Sequence, residues 1–300
     1  MAFRWLPIPI STDPPPQMKD IQKTILVTGA SRGFGFEMVR AALDIGDKVI
    51  ATVRNNPDEL LRRFNDHPDL FVVIMDVVHE DQVIDAVQQA MVRFQQLDVL
   101  INNAGYGIIS AIEEASDAEV RQQYDTNVFG LLNVTRAVLP YMRRRRAGHI
   151  INISSLFGFD VIPGWGLYGS TKFAVEGITK GLAQELASLN IKVTAVEPGL
   201  YSTDFLSEHS SRVSQRTISD YRDTVGQMRL SASLLHGNQS GDPRKLARAV
   251  IEIAHIQRPP LHLLMGSDAI TLYRNNVERT EQDIKEWLDV SMNTDHDHQQ

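Results

Sequence analysis

The chain has no cysteine among its 300 residues, which excludes disulfides, thiolate nucleophiles and cysteine-bound zinc. Such a composition suits a reducing compartment, and a cytoplasmic location is expected. Positive charge is also in short supply. The formal net charge is -7, so there is no broad basic surface for nucleic acid. None of the nine histidines falls in an H-E-x-x-H pattern, and no catalytic metal is expected. No apolar run approaches the roughly 20 residues needed to cross a bilayer, so no membrane partner is expected. The opening MAFRWLPIPISTDPPPQ is a poor secretory signal, because Pro7 and Pro9 break its short apolar stretch. Pro14, Pro15 and Pro16 favour an extended segment, and residues 1–22 read as a flexible extension outside the core. The remaining chain is of ordinary globular composition, 43% hydrophobic and 22% charged, and long enough to bury a substantial core.

Short apolar runs alternate with helical patterns along that remainder. Strands are predicted at KTILVT from Lys23, KVIATV from Lys48, LFVVIM from Leu70, DVLIN from Asp98, HIINI from His149, IKVTAV from Ile191 and LHLLM from Leu261. Most of these runs are unbroken rather than alternating, the mark of strands covered on both faces. Helices are predicted near 35–45, 80–96, 117–145, 166–189 and 242–256. This alternation predicts a single α/β domain over 23–285, a doubly wound parallel sheet of about seven strands with helices on both faces. The interval of about 202–241 breaks the rhythm. It is long and polar, with scattered Tyr221, Met228, Leu230, Leu234 and Leu235, and it reads as a substrate lid. Residues 286–300 read as a disordered tail, and His296 and His298 within it as incidental. Arg143 to Arg146 read as a solvated helix end that complements the helix dipole.

The first strand runs into Thr28-Gly29-Ala30-Ser31-Arg32-Gly33-Phe34-Gly35, and a helix follows. Glycines permit a tight turn and close backbone approach, and a helix N-terminus offers N–H groups and a positive dipole end to a pyrophosphate. The spacing is G-x-x-x-G-x-G, but its position at the first strand-to-helix junction is where dinucleotides bind. The second strand ends in Thr52-Val53-Arg54 without an acid for a ribose 2′-hydroxyl. Arg32 and Arg54 instead offer forked donors for a 2′-phosphate, which favours NADP(H) over NAD(H). Further on, Tyr168 and Lys172 lie four apart, so a helix brings them to one face. A phenol with a pKa of about 10 is a poor base at neutral pH. A neighbouring ammonium lowers that value and makes the pair a proton donor and acceptor for a carbonyl/alcohol couple.

From about Lys23 to Gly266 the chain resembles the short-chain dehydrogenase/reductase family. The resemblance rests on TGASRGFG, on MDV ending at Val77, on NNAG from Asn102, on TNVFG around Asn127, on INISSLFG from Ile151, on YGSTK from Tyr168 and on EPGLYSTDF from Glu197. It implies a Rossmann-type fold and hydride transfer between NADP(H) and the carbonyl or secondary alcohol of a small substrate. In that family pattern Tyr168 is the general acid and base. Lys172 lowers its pKa and holds the nicotinamide ribose, Ser155 binds the substrate oxygen, and Asn127 anchors a relay water, with Ser154 a structural neighbour. For the cofactor, the resemblance implies the turn of Gly29, Ser31, Arg32, Gly33 and Gly35, with the backbone N–H of Phe36, where an aliphatic residue is common. Asp76 and Val77 are implied at the adenine, and Asn103, Ala104 and Gly105 at the adenosine ribose. Pro198, Gly199, Tyr201 and Thr203 are implied beside the nicotinamide.

Helices 117–145 and 166–189 resemble those through which family members pair, which would make a homodimer or homotetramer, and their apolar positions equally suit the monomer's own core. Two other readings of the scaffold are an NADP(H) sensor without turnover and an epimerase or dehydratase. The intact Ser155, Tyr168, Lys172 and Asn127 argue against the first, and the lack of a longer C-terminal substrate domain against the second. The lid's apolar residues and the low density of basic groups point to a neutral, moderately hydrophobic substrate. One consequence of the charge argument is testable at once. Replacing Arg54 by Ala is expected to weaken NADPH binding about tenfold and leave NADH binding nearly unchanged. Titration of both cofactors into wild type and variant checks this, and an unchanged preference overturns the reading of the second strand's end.

Overall fold

The computed structural model describes residues 21–203, 211–235, 237 and 239–296. Most of the extension, residues 204–210 of the expected lid, and Asp297 and His298 of the tail lie outside the described residues. In chain order the elements are β1 (Thr24–Val27), α1 (Gly33–Asp44), β2 (Lys48–Val53), α2 (Pro57–Arg63), β3 (Leu70–Ile74), α3 (Glu80–Phe94), β4 (Val99–Asn102) and β5 (Gly107–Ile109). They continue with α4 (Asp117–Tyr124), α5 (Gly130–Arg145), β6 (Gly148–Ile153), α6 (Gly166–Leu186), β7 (Ile191–Pro198), β8 (Ser211–Val213) and α7 (Gln227–Leu235). The last are α8 (Pro243–His255), β9 (His262–Met265), α9 (Ser267–Glu286) and α10 (Leu288–Met292).

Seven strands form one parallel sheet in the order β3-β2-β1-β4-β6-β7-β9. Successive residues of β1 point to opposite faces. Ile25 and Val27 pack with Met38 and Val39 of α1 and Leu246 and Val250 of α8, whereas Leu26 joins Val83 and Val87 of α3 and Val134 and Val138 of α5. Both faces are covered, and this is why the strand sequences are unbroken apolar runs. The chain leaves β1 for β2 and β3 and then returns to β4 on the other side of β1. That reversal opens a crevice at the carboxyl ends of β1 and β4.

Several elements depart from the sequence reading. The predicted helix 117–145 is two helices joined by a π-helical turn at Asp125–Phe129. Ser116 and Glu119 form a capping box that starts α4. Gly130 opens α5 where a Cβ would lie 2.5 Å from Val77 Cγ2, so only glycine lets α5 approach that strand end. The helix α2, the strand pair β5–β8 and the helix α9 were not foreseen. The tail expected at 286–300 is helical through Met292, because α9 and α10 continue the chain with only a one-residue break.

The central strand should dominate stability. Leu100 in β4 is fully buried, whereas Ile74 at the end of edge strand β3 is 53% exposed. Leu100→Ala is expected to cost about 2–5 kcal/mol and Ile74→Ala at most about 0.5 kcal/mol. Urea denaturation with an unchanged m-value checks the contrast.

Candidate active site

The glycine turn is held by the neighbouring strand. Thr28 Oγ1 accepts from the N–H groups of Asn103 and Ala104, both at 2.9 Å. Asn103 Nδ2 donates to the Thr28 and Gly29 carbonyls at 2.9 and 3.2 Å. This packing leaves no room for side chains. A Cβ on Gly35 would lie 2.3 Å from the Gly29 oxygen, and one on Gly29, where φ is +67°, would lie 3.0 Å from Ala104 Cα. Gly33 also has a positive φ of +55° and faces open space apart from Thr203, 3.9 Å from its ideal Cβ. No side chain caps the N-terminus of α1, whose first turn holds no acid. Gly33 and Phe34 of that turn line the cleft, an arrangement that fits a pyrophosphate.

Phe36 departs from the expected role. Its ring is buried against Phe64 and under the Arg63 guanidinium, 3.8 Å from the ring centroid, and Arg63 also donates to the Ser31 carbonyl at 2.9 Å. Its backbone N–H donates to the Arg32 carbonyl at 3.3 Å, because Phe36 already lies within the helical ladder. The aromatic ring therefore supplies a stacking surface by which α2 clamps the turn, and Gly35 and Phe36 are supports behind the cleft wall.

A cleft of about 340 Å³ runs from this turn across the strand ends. Ser31, Arg32, Arg54, Asp76 and Val77 line one end, and Asn103, Ala104 and Gly105 the middle. One Asp76 carboxylate oxygen accepts from the Val78 N–H at 3.2 Å, which fixes the loop after β3. At the other end lie Ser155, Tyr168 and Lys172, with Pro198, Gly199, Tyr201 and Thr203 opposite. Gly199 is required by Asp268, whose Oδ1 would lie 2.0 Å from a Cβ there and whose Oδ2 accepts from the Leu200 N–H at 2.6 Å.

Tyr168 and Lys172 lie on one face of α6, as their spacing requires. Lys172 Nζ is 5.6 Å from the Tyr168 ring centroid and donates to the Ile153 carbonyl at 2.8 Å. Ser155 Oγ accepts from the Phe157 N–H at 3.1 Å, and a hydrogen bond joins it to the Tyr168 hydroxyl. Asn127, inside the π-helical turn, sits behind the cleft wall. Its amide bonds Tyr106 in both directions, Oδ1 accepting from the N–H at 3.1 Å and Nδ2 donating to the carbonyl at 2.9 Å. Asn127 Nδ2 also donates to Thr171 Oγ1 at 3.0 Å, and Oδ1 would lie 3.1 Å from a Cβ on Gly105.

Burial governs the ionisation of the pair. It pushes the Tyr168 phenol well above its ordinary value, against the hydrogen bond from Ser155. It pulls the Lys172 ammonium down to about 8, opposed by the negative charge of Glu176. Burial thus acts on both groups in the direction that disfavours charge, upward for the phenol and downward for the ammonium.

Other groups at the site were not among the expected site residues. Phe157 stacks on Trp165 with centroids 5.4 Å apart, and Trp165 meets Tyr168 edge-on at 5.6 Å. Arg212 of β8 lies over the Tyr106 ring at 4.9 Å and lines the cleft with Leu156, Leu200 and Gln239.

The family profile described as short chain dehydrogenase matches residues 23–214. An oxidoreductase of Botryotinia fuckeliana is 37% identical over 273 residues, 90% of this chain and 98% of that protein. A 3-ketodihydrosphingosine reductase of Bacteroides thetaiotaomicron is 36% identical over 269 residues, 89% of this chain and 94% of that one. The crystal structure of a short-chain dehydrogenase from Streptomyces avermitilis is 35% identical, superposes with a TM-score of 0.84, and covers 92% of this chain and all of its own. A doubly wound sheet with a glycine turn at its switch point, matched by these relatives along nearly its whole length, belongs to an oxidoreductase of the short-chain dehydrogenase/reductase family.

Proposed function

We propose that this chain uses NADP(H) to interconvert the carbonyl and secondary-alcohol forms of a neutral, hydrophobic substrate. The observation that carries the reading is the meeting of Ser155, Tyr168 and Lys172 at one end of a cleft whose other end is the uncapped glycine turn. Arg32 and Arg54 at the turn end favour the 2′-phosphate form of the cofactor. When bound, the nicotinamide supplies or accepts the hydride. Ser155 orients the substrate oxygen, and the Tyr168 hydroxyl gives that oxygen its proton in reduction or takes it in oxidation. Lys172 holds positive charge beside the phenol and the cofactor ribose, and Asn127 fixes the backbone behind it. A phenol kept protonated by burial suits the reductive direction.

The apolar end supports the substrate class. Ile109, Leu156, Phe157, Trp165 and Tyr168 form one buried cluster that takes in Ala232 and, partly buried, Met228 of α7. The Bacteroides relative is by name a reductase of a keto compound, 3-ketodihydrosphingosine, in line with carbonyl reduction. The described residues of the 202–241 interval act as a cover tied to the body at several points. Strand β8 pairs in parallel with β5, and the Ser202 N–H donates to the Gly241 carbonyl at 2.9 Å. Arg229 of α7 pairs with the fully buried carboxylate of Glu114, which also accepts from the Ile218 and Ala111 N–H groups at 2.8 and 2.9 Å.

Two outcomes are expected. Tyr168→Phe should lose about 10²- to 10⁴-fold in carbonyl reduction while still binding NADPH. The wild-type reduction rate should fall as pH rises through about 8, where Lys172 loses its charge. NADPH consumption across a carbonyl panel and a pH series reads both, and a fully active Tyr168→Phe enzyme refutes the assignment. Within the cover, Met228→Ala should raise substrate KM without changing cofactor affinity. Leu230 and Leu234 are 60% and 78% exposed, and their alanine variants should be near wild type. Steady-state kinetics on the three variants distinguish a substrate wall from simple packing.

A further inference from the structure

On the far side of Lys172 from the cleft, the fold encloses two carboxyl groups that the proposed reaction does not use. Glu176 lies one helical turn beyond Lys172 on α6 and is 6% exposed, and Glu197 near the end of β7 is 1% exposed. His262 of β9 reaches both, with Nδ1 2.7 Å from Glu197 Oε1 and 3.5 Å from Glu176 Oε2. One oxygen of each glutamate and this nitrogen all lie within 4.8 Å of one another. Ser154 borders the same space, since a Cβ on Gly158 would lie 2.7 Å from Ser154 Oγ and 3.2 Å from Glu176 Oε1. The charged neighbours are Lys172 and Lys180 on α6 and His262 on β9.

Hydrogen-bond accounting exposes a shortage of donors. The Ser154 hydroxyl supplies a hydrogen bond to Glu176, and the other Glu176 oxygen and Glu197 Oε2 are buried with no well-aligned donor among the described residues. An Nδ1–H of His262 supplies only Glu197 Oε1. Two ionised carboxylates present acceptors only, whereas protonating one of them creates the missing donor. Two like charges this close and this dry do not both ionise readily.

We propose that Glu176 and Glu197 share one proton throughout the neutral pH range, and that this half-ionised pair, open to solvent through His262, sets the negative charge beside Lys172. Burial pushes each carboxyl up to about 7, in the direction the geometry requires. Glu176 and Glu197 are then positioning residues that act through Lys172. Their link to turnover rests on Lys172 having the role proposed above, whereas the shared proton itself does not.

Infrared spectroscopy of the full chain tests the proton directly. At neutral pH the wild type is expected to show the carbonyl stretch of a protonated carboxylic acid. The band should shift when glutamate is labelled with carbon-13 and should vanish in Glu176→Gln and Glu197→Gln. Labelled wild type suffices if either variant fails to fold. Absence of the band overturns the proposal, as does a tightly bound divalent cation that keeps both carboxylates ionised. The pH profile of carbonyl reduction tests the coupling. In Glu176→Gln the remaining charge sits on the more remote Glu197, so the basic limb should move to lower pH. In Glu197→Gln the full charge falls on Glu176, and the limb should move to higher pH. Shifts of the same sign, or none, overturn the coupling. Full activity of Tyr168→Phe would instead refute the reductase reading while leaving the band untouched.

Discussion

Four hydrogen bonds between Thr28-Gly29 and Asn103-Ala104 tie the end of β1 to the end of β4. They act where a parallel sheet reverses direction, at the point where its strands would otherwise splay. The side chain of Thr28 satisfies two backbone donors that no strand partner serves, and the amide of Asn103 does the same for two carbonyls. With these groups satisfied, the turn can stand open to a ligand without leaving buried polar groups unpaired. The absence of a Cβ at Gly29 and Gly35 follows from this contact, since any side chain there would push the two strand ends apart. Everything downstream in the cleft takes its position from that knot, from the exposed start of α1 to the Asn103–Gly105 wall that faces Lys172.

Desolvation is the second organising constraint. The same burial that keeps the Tyr168 phenol protonated weakens the ammonium of Lys172. Charge must be supplied from farther away. The buried acid at Glu176 is placed to do this from within the same helix, because four residues return the chain to one helix face. Covering the site with apolar and aromatic groups such as Trp165 and Phe157 thus carries an electrostatic cost that nearby polar groups offset.

The seven strands of the main sheet were legible because burial on both faces writes itself as continuous apolar runs. The glycine turn and the Tyr168–Lys172 spacing were legible because their geometry admits few residue types. Other features left no comparable trace. The π-helical turn that buries Asn127 has no periodicity of its own within one long amphipathic pattern. Strands β5 and β8 are three residues each and pair across about a hundred positions, beyond the reach of local patterning. The helix α9 is polar around most of its surface and buries only Ala269. Phe36 was misread because the expected backbone contact ignored its ring, whose partner Arg63 lies on a helix the pattern did not reveal. Glu197 opens a recognised motif and Glu176 follows one, but their proximity is a property of packing between α6 and β7.

The proposed cover over the apolar end is attached through main-chain pairing at β5–β8, main-chain bonds between Leu200–Ser202 and Gly241, one buried ion pair, and bonds to the side chains of Glu113, Glu114, Glu119 and Gln122. Main-chain pairing is indifferent to the side chains that carry it. The residues of α7 proposed to face the substrate can therefore change size and polarity while the cover keeps its seat, provided Glu114 and Arg229 remain. Such an arrangement separates the evolution of substrate choice from that of the hydride-transfer machinery. A lineage built on this chain can explore new substrates by editing one short helix, with no correlated change in the sheet beneath it.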